Sequence, residues 1–79
     1  MDTKRPIALP DGSVIHSDPE ILGGTPVFVG TRVPVQALID HLDGEYALEE
    51  FLDNFPSVRR EQAIMFLEQA ARALLARVA

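Results

Sequence analysis

Residues 34–56 read PVQALIDHLDGEYALEEFLDNFP, and this stretch decides the fold. Its apolar residues recur every three or four positions, the spacing of one face of an α-helix. One predicted helix has the apolar residues Val35, Leu38, Ile39 and Leu42. The next has Leu48, Phe51, Leu52 and Phe55. Pro34 and Pro56 stand where helices begin and stop, and Gly44 follows the first. Only about four residues, 43–46, link the two helices, so they must pack as neighbours.

A third helix is predicted to begin between Ser57 and Arg59 and to run to about Val78. At 100° per residue its apolar side chains cover an arc of about 180°. Burying one face in a small domain requires roughly 100°. The apolar residues beyond that requirement either contact a second chain or are accommodated by the small domain itself. The residues that we assign to a partner or dimer interface are Phe66, Ala70, Leu74, Leu75 and Val78.

The sequence before about Val33 has an extended pattern interrupted by turns. Asp11-Gly12 stands between two β-prone runs, 7–9 and 14–16, which is typical of a hairpin or a turn. Such short strands cannot form a stable sheet alone. They are expected to lie on the helices, to pair with the same strands of a second subunit, or both.

Residues 17–24 predict a single helical turn, capped by Asp18 and ended by Gly23 in a left-handed conformation. Residues 27–29 predict a short strand that Gly30 closes. Structural roles in this region are assigned to Gly23, Gly24, Gly30, Arg32 and Pro34.

The length of 79 residues allows a single domain, with an extended segment over 1–33 and a three-helix unit over 34–79. The predicted fold class is mainly α, a helix-turn-helix type of unit with short N-terminal strands. Domains of this size often depend on disulfides, metals or association. The chain contains no Cys, which excludes disulfides and disfavours structural zinc. A second chain is therefore the expected source of additional stability.

The sequence gives no indication of secretion or membrane insertion. Pro6, Pro10 and Asp11 interrupt the N-terminal region, so the apolar segment of a secretory signal is absent. No stretch approaches the roughly 18 consecutive apolar residues that a membrane span requires. The expected location is the cytoplasm.

Residues that could carry chemistry do not form a known catalytic or metal motif. His16 and His41 are the only histidines and lie in different halves of the chain. Asp40 and His41 are adjacent on a helix and point in different directions, so they do not form a compact ligand set. The serines stand at turns and helix starts, where hydrogen bonding to the backbone explains them. We therefore expect no enzymatic activity, no cofactor and no metal.

The formal charge of −5 makes general affinity for nucleic acid weak, so DNA binding would depend on particular arginines. A basic protein partner is an equally natural interpretation. If the second and third helices form a helix-turn-helix, Arg59, Arg60 and Gln62 are the candidate DNA contacts. The alternative for these residues is a solvated helix start. Arg32, among apolar residues, is expected to form a structural ion pair or to cap carbonyls rather than to contact DNA.

Residues 17–35, SDPEILGGTPVFVGTRVPV, closely resemble the signature of the bacterial and archaeal family catalogued as domain of unknown function 433. The similarity covers roughly residues 16–70. The resemblance implies a homeodomain-like, tri-helical helix-turn-helix fold. It also implies an antitoxin of a type II toxin–antitoxin pair, which would neutralise a PIN-like nuclease toxin and repress its own operon by binding operator DNA as a homodimer. The alternative function is a protein-interaction adaptor of the same fold without DNA affinity.

Two features depart from the family pattern. Ala47 and Arg59 stand where members usually have Ser or Thr caps, and loss of a cap costs about 1 kcal/mol. The starts of the second and third helices should therefore be less stable than in other members, unless Ser57 caps the third helix. Residues 64–66 replace residues that are usually smaller or more polar, which favours protein contact over DNA contact.

Overall fold

Three α-helices follow a short antiparallel pair of strands in the structure, a computed structural model that describes residues 6–42 and 44–78. The helices are α1, Val35–Asp40; α2, Ala47–Asn54; and α3, Arg60–Val78. The strands are β1, Ile15–His16, and β2, Val27–Phe28, and a 3-10 helix over Leu22–Gly24 lies between them. The predicted fold class, mainly helical with short N-terminal strands, is confirmed.

The helices lie where the apolar spacing predicts them, except that α1 is short. It ends at Asp40, and the N–H groups of His41 and Leu42 donate to carbonyls three residues back. This tighter turn is common at helix ends. Because the α-helix ends early, Ile39 and Leu42 remain 46% and 45% exposed. The apolar face predicted for this helix is therefore buried only in its first half. Residue 43 of the predicted link lies outside the described residues.

The strand β1 pairs with β2 and not with residues 7–9. Ile15 is opposite Phe28 and His16 is opposite Val27. Of the two alternatives predicted for residues 7–16, a hairpin or a turn, the paired strands of a hairpin are therefore not formed. Val27 and Phe28 are both fully buried, so β2 is the strand in the core, and β1 lies along it.

The predicted turn around Asp11-Gly12 is present, although it does not join two paired strands. Leu9 donates its N–H to the carbonyl of Ser13 at 2.8 Å. Ahead of the turn, the chain runs along α3 instead of pairing with β1. Gln62 donates to the carbonyl of Ile7, and Gln69 donates to the carbonyl of Gly12. Two amides of α3 therefore hold the N-terminal segment.

Residues 17–24 form a turn that continues into the 3-10 helix. The carboxylate of Asp18 accepts the N–H of Glu20 at 2.9 Å, as in a capping interaction. Gly23 has φ +64°, the left-handed conformation that the sequence predicts. This turn reverses the chain and brings β2 beside β1.

The connection from β2 to α1 is tight. The hydroxyl of Thr31 donates to the carbonyl of Phe28 at 2.9 Å. Gly30 has φ +81°, and a Cβ at this position would lie 3.1 Å from the carbonyl oxygen of Pro6. Both observations favour glycine there. Pro34 follows with φ −64° as the residue before α1.

The core lies where β2, α2 and the first half of α3 meet. Phe28 and Phe51 are fully buried, with ring centroids 5.9 Å apart. Phe66 of α3 packs edge-on against Phe28 at 5.8 Å. Aromatic pairs in these geometries stabilise a core beyond the area that they bury. The other buried members of the core are Val33, Val35, Leu38, Val58 and Ala63.

Candidate functional site

The side chain of Gln62 organises the start of α3. It is 1% exposed, and its amide donates to the carbonyls of Ile7 at 3.1 Å and Val29 at 2.9 Å. Its carbonyl accepts the N–H of Arg59 at 3.4 Å. A Gln in the third helical position that accepts this N–H forms half of a capping box. Gln62, predicted as a DNA contact, therefore lies inside the fold and cannot reach a base edge in this arrangement.

The starts of α2 and α3, which lack the usual Ser or Thr cap, are stabilised in different ways. No side chain caps the start of α2 through a hydrogen bond. The carboxylates of Glu49 and Glu50 in its first turn instead interact favourably with the positive end of the helix dipole. The start of α3 is capped from within by Gln62 and not by Ser57. Sequence spacing alone did not indicate this capping role.

Arg60 forms a forked ion pair with Glu49 that joins α2 to α3. The two nitrogen–oxygen distances are 2.6 and 2.7 Å, and both side chains are 54% exposed. The side-chain hydrogen bonds from Arg60, and its positive charge, lower the pKa of Glu49 below its ordinary value, and desolvation opposes this effect. Hydrogen bonding to Glu49 in turn raises the pKa of Arg60. The guanidinium is therefore engaged within the chain, and a DNA contact would compete with Glu49 for it.

Replacing Arg60 with Ala is expected to raise the pKa of Glu49 toward its ordinary value, because the hydrogen bonds that lower it are removed. The lowered pKa means that the pair stabilises the fold above the unfolded-state pKa of Glu49. That contribution is lost as the pH falls through the folded-state pKa. NMR titration of the Glu49 carboxyl measures the shift. Arg60→Lys, which keeps the charge but not the fork, should give an intermediate value, and an unchanged titration in Arg60→Ala would contradict the expectation.

Arg32 and Arg59 flank two adjoining depressions near the start of α3. The depressions share Gly30, Thr31 and Ser57 in their walls. Arg32 is exposed and, within the described chain, makes neither an ion pair nor a hydrogen bond. The structural ion pair or carbonyl cap predicted for Arg32 is therefore not formed, because its side chain extends into solvent. Among the described residues no Asp or Glu lines either depression, so the two guanidiniums can attract a phosphate or a carboxylate.

An apolar groove lies between the strand pair, α1 and α3. Its lining residues are Ile15, Thr25, Pro26, Val35, Gln36, Ile39 and Phe66. Ile39 is 46% exposed there, although its position on α1 predicted that it would be buried. Phe66, predicted as an interface residue, packs against Phe28 and is only partly exposed. The sequence did not predict this groove, because four separate stretches of the chain line it.

The second half of α3 extends beyond the core. Every side chain from Ala70 to Val78 is exposed, with Leu74 at 59%, Leu75 at 68% and Val78 at 77%. Ala70 and these three residues were predicted as interface residues from the wide apolar arc, and their exposure fits that prediction. We define the outer stripe of α3 as Ile64, Ala71, Leu74, Leu75 and Val78, whereas Leu67 packs partly against the core.

The described residues do not bring together three or more His, Asp or Glu side chains that could hold a metal ion. Within residues 6–42 and 44–78, no helix has both the length and the apolar character required to cross a membrane.

Comparison with known proteins identifies the family. The model of the family described as Protein of unknown function (DUF433) matches residues 15–68, more than half of the chain, and the chain belongs to this family. The protein is also similar to "Uncharacterized protein y4eO" of Sinorhizobium fredii (strain NBRC 101917 / NGR234), with 41% identity over 49 residues. That match takes in 62% of this chain but only 22% of the relative. No solved structure matches the chain.

Of the two apolar surfaces, only the groove lies within the region that the family model matches. The groove lies wholly within residues 15–68, whereas most of the outer stripe of α3 lies beyond residue 68. The groove is therefore part of the family domain, and the exposed second half of α3 is outside the matched region.

Proposed function

We propose that this member of the DUF433 family is a binding protein that acts as the antitoxin of a type II toxin–antitoxin pair. It binds its toxin directly and neutralises it, and a PIN-like nuclease is the expected toxin. The single observation that carries the proposal is the apolar groove, an exposed apolar surface within the family domain. Covering such a surface in a complex is favourable because apolar area leaves water.

The groove has the features of a protein-docking site rather than of a site for a charged small molecule. Ile15, Val35 and Ile39 supply apolar walls that can receive an apolar side chain of the partner. At the rim, Gln36 donates to the carboxylate of Asp40 at 2.9 Å. An apolar centre with a polar rim is the usual arrangement of protein interfaces. The net charge of −5 favours a partner with a basic surface.

DNA binding is the smaller part of the proposal. Gln62 is buried and Arg60 is paired with Glu49, so only Arg59 and Arg32 offer guanidiniums near the start of α3. These two side chains can hold phosphates, and phosphate contacts position a protein without reading sequence. Autorepression through operator DNA would therefore depend on weak phosphate contacts. The alternative function is a protein-interaction adaptor, in which the groove binds a partner that is not a toxin.

Replacing Ile39 with Asp is expected to abolish neutralisation. A carboxylate in the apolar groove must be desolvated when the partner docks, and affinity should fall by about 100-fold, as for loss of a central interface anchor. The test is co-expression with the nuclease encoded by the neighbouring open reading frame. Cells should grow with the wild type and arrest with the variant, while a pull-down reports binding.

A control variant separates loss of docking from loss of folding. Leu42→Asp also places a carboxylate at an exposed apolar position, 45% exposed like Ile39, but outside the groove, and it should protect cells like the wild type. Both variants should unfold near the wild-type temperature, because both side chains are substantially exposed. Full protection by Ile39→Asp would overturn the assignment of the groove. A bound neighbour that is harmless to cells would support the adaptor.

A further inference from the structure

We propose that the larger of the two depressions beside the start of α3 binds a phosphate monoester, the terminal phosphate of a small molecule or of a nucleic-acid strand. The inference goes beyond the proposed function, in which the arginines here contact only the diester phosphates of operator DNA. This basic depression is open and has a volume of about 610 Å³. Its walls are formed by His16, Ile21, Gly30, Thr31, Arg32 and Ser57. Depressions of this size are typical of sites for small ligands.

The polar groups in its walls are largely unused within the fold. Nε2 of His16 is buried and has no hydrogen-bond partner in the described part of the chain. A buried polar atom of this kind is rare in native proteins, and a bound ion or water satisfies it in many of them. The exposed side chains of Arg32 and Ser57 also make no hydrogen bond to any residue that the structure describes. Thr31 differ in this respect, because its hydroxyl already bonds to the carbonyl of Phe28 and to the N–H of Val33.

The charges around the depression favour a dianion. Arg32 lines the basic depression, and Arg59 lines the adjoining one, with which it shares Gly30, Thr31 and Ser57. The chain has twelve carboxylates, yet none from residues 6–42 and 44–78 lines either depression or pairs with these two guanidiniums. A carboxylate or a phosphate diester carries one negative charge, whereas a phosphate monoester carries nearly two at neutral pH. The monoester therefore balances both guanidiniums, and a monoanion does not.

The donors come from separate segments and suit the three terminal oxygens of a phosphate. The guanidinium of Arg32, between β2 and α1, can bind two oxygens with its fork. Ser57, before α3, and His16, on β1, can donate to the third. Because Nε2 of His16 is enclosed, a phosphate oxygen reaches it only when the ring turns toward the depression. The positive end of the α3 dipole adds to the attraction, and Ile21 supplies an apolar wall for the group that carries the phosphate.

Titration of the full chain with inorganic phosphate, followed by NMR at constant ionic strength, tests the site. The amide resonances of Arg32 and Ser57 and the Nε2 resonance of His16 should shift and saturate together. The ring of His41 is an internal control, since its Nδ1 bonds to the carbonyl of Ala37 away from the depression, and it should not shift. Shifts that do not saturate, or equal shifts of both histidine rings, overturn the proposal.

Two arginine variants separate the site from the general charge of the chain. Arg32→Ala should raise the Kd for inorganic phosphate by at least about tenfold, as expected for loss of a charge-assisted pair. Arg72→Ala removes the same charge from the exposed second half of α3 and should leave the Kd within about twofold of the wild type. Equal losses in the two variants would mean that phosphate responds only to net charge, which overturns the proposal.

An oligonucleotide with a 5′-phosphate and the same strand without it distinguish the monoester from backbone diesters. The phosphorylated strand should bind at least about tenfold more tightly, and inorganic phosphate should displace it. If it binds no more tightly than inorganic phosphate, the ligand is a free phosphate compound; if it binds more tightly, the ligand is a strand end. Both results support a monoester site, whereas equal affinity of the two strands overturns it. Arg32 lies outside the groove, so Arg32→Ala should still protect cells, and failure of this site is distinguishable from failure of the antitoxin proposal.

Discussion

Gln62→Leu is expected to lower the free energy of unfolding by about 3 kcal/mol, because it leaves three buried or partly buried backbone groups without their side-chain partner. These groups are the carbonyls of Ile7 and Val29 and the N–H of Arg59. A domain of this length has a total stability of roughly 4–12 kcal/mol. The substitution therefore removes a large share of it. Urea denaturation followed by circular dichroism measures the loss.

Two other glutamines provide graded controls for the same substitution. Gln69 makes one hydrogen bond, to the carbonyl of Gly12 at 2.8 Å, and Gln69→Leu should cost about 1 kcal/mol. Gln36 is exposed and bonds only to Asp40, so Gln36→Leu should change stability by less than about 0.5 kcal/mol. Equal losses for Gln62→Leu and Gln36→Leu would contradict the role assigned to the buried amide.

The example of Gln62 shows what the sequence could not predict about the site. Its place in the first turn of α3 is consistent with a DNA contact, as the local pattern suggested. Its actual partners, Ile7 and Val29, are 55 and 33 residues away along the chain. Local spacing carries no information about contacts at that separation. The same limit applies to Arg32, whose apolar sequence neighbours wrongly suggested a structural partner.

The helices were predictable because their signal is local. Leu48, Phe51 and Leu52 follow the helical period, and α2 buries Phe51 and partly buries the other two, as that period predicts. Strand pairing was not predictable in the same way. The turn signal at Asp11-Gly12 correctly indicated a reversal, but burial of β2 decided which strand β1 pairs with.

The two apolar surfaces also differ in how well the sequence predicted them. The exposure of Leu74, Leu75 and Val78 fits the prediction, since the arc of α3 was wider than one small domain could cover. Phe66 belongs to that arc by period, yet it packs on Phe28, because only the core decides which part of a wide arc is buried. The groove around Ile39 had no sequence signal, because α1 ends at Asp40, two residues before the last apolar residue of its predicted pattern, Leu42.

Phe28→Ala is expected to leave the chain largely unfolded. The Phe28 side chain is fully buried and contacts the rings of Phe51 and Phe66 at centroid distances of 5.9 and 5.8 Å. Truncation of a buried Phe costs about 3–5 kcal/mol, comparable with the lower end of the total stability. Loss of the cooperative thermal transition in circular dichroism is the expected observation. Phe55→Ala, at a partly buried ring, should remain folded with a loss of about 2 kcal/mol.

A more conservative substitution of Phe28 separates the effect on the groove from unfolding of the core. Phe28→Leu keeps an apolar side chain and should cost only about 1–2 kcal/mol, so the variant remains folded. It removes the aromatic edge contact that positions Phe66, and Phe66 lines the groove. Neutralisation of the toxin should therefore weaken, while the variant keeps a cooperative unfolding transition in urea. Wild-type protection by this folded variant would mean that the ring of Phe28 does not position Phe66 for docking, and the role assigned to Phe66 in the groove would be wrong.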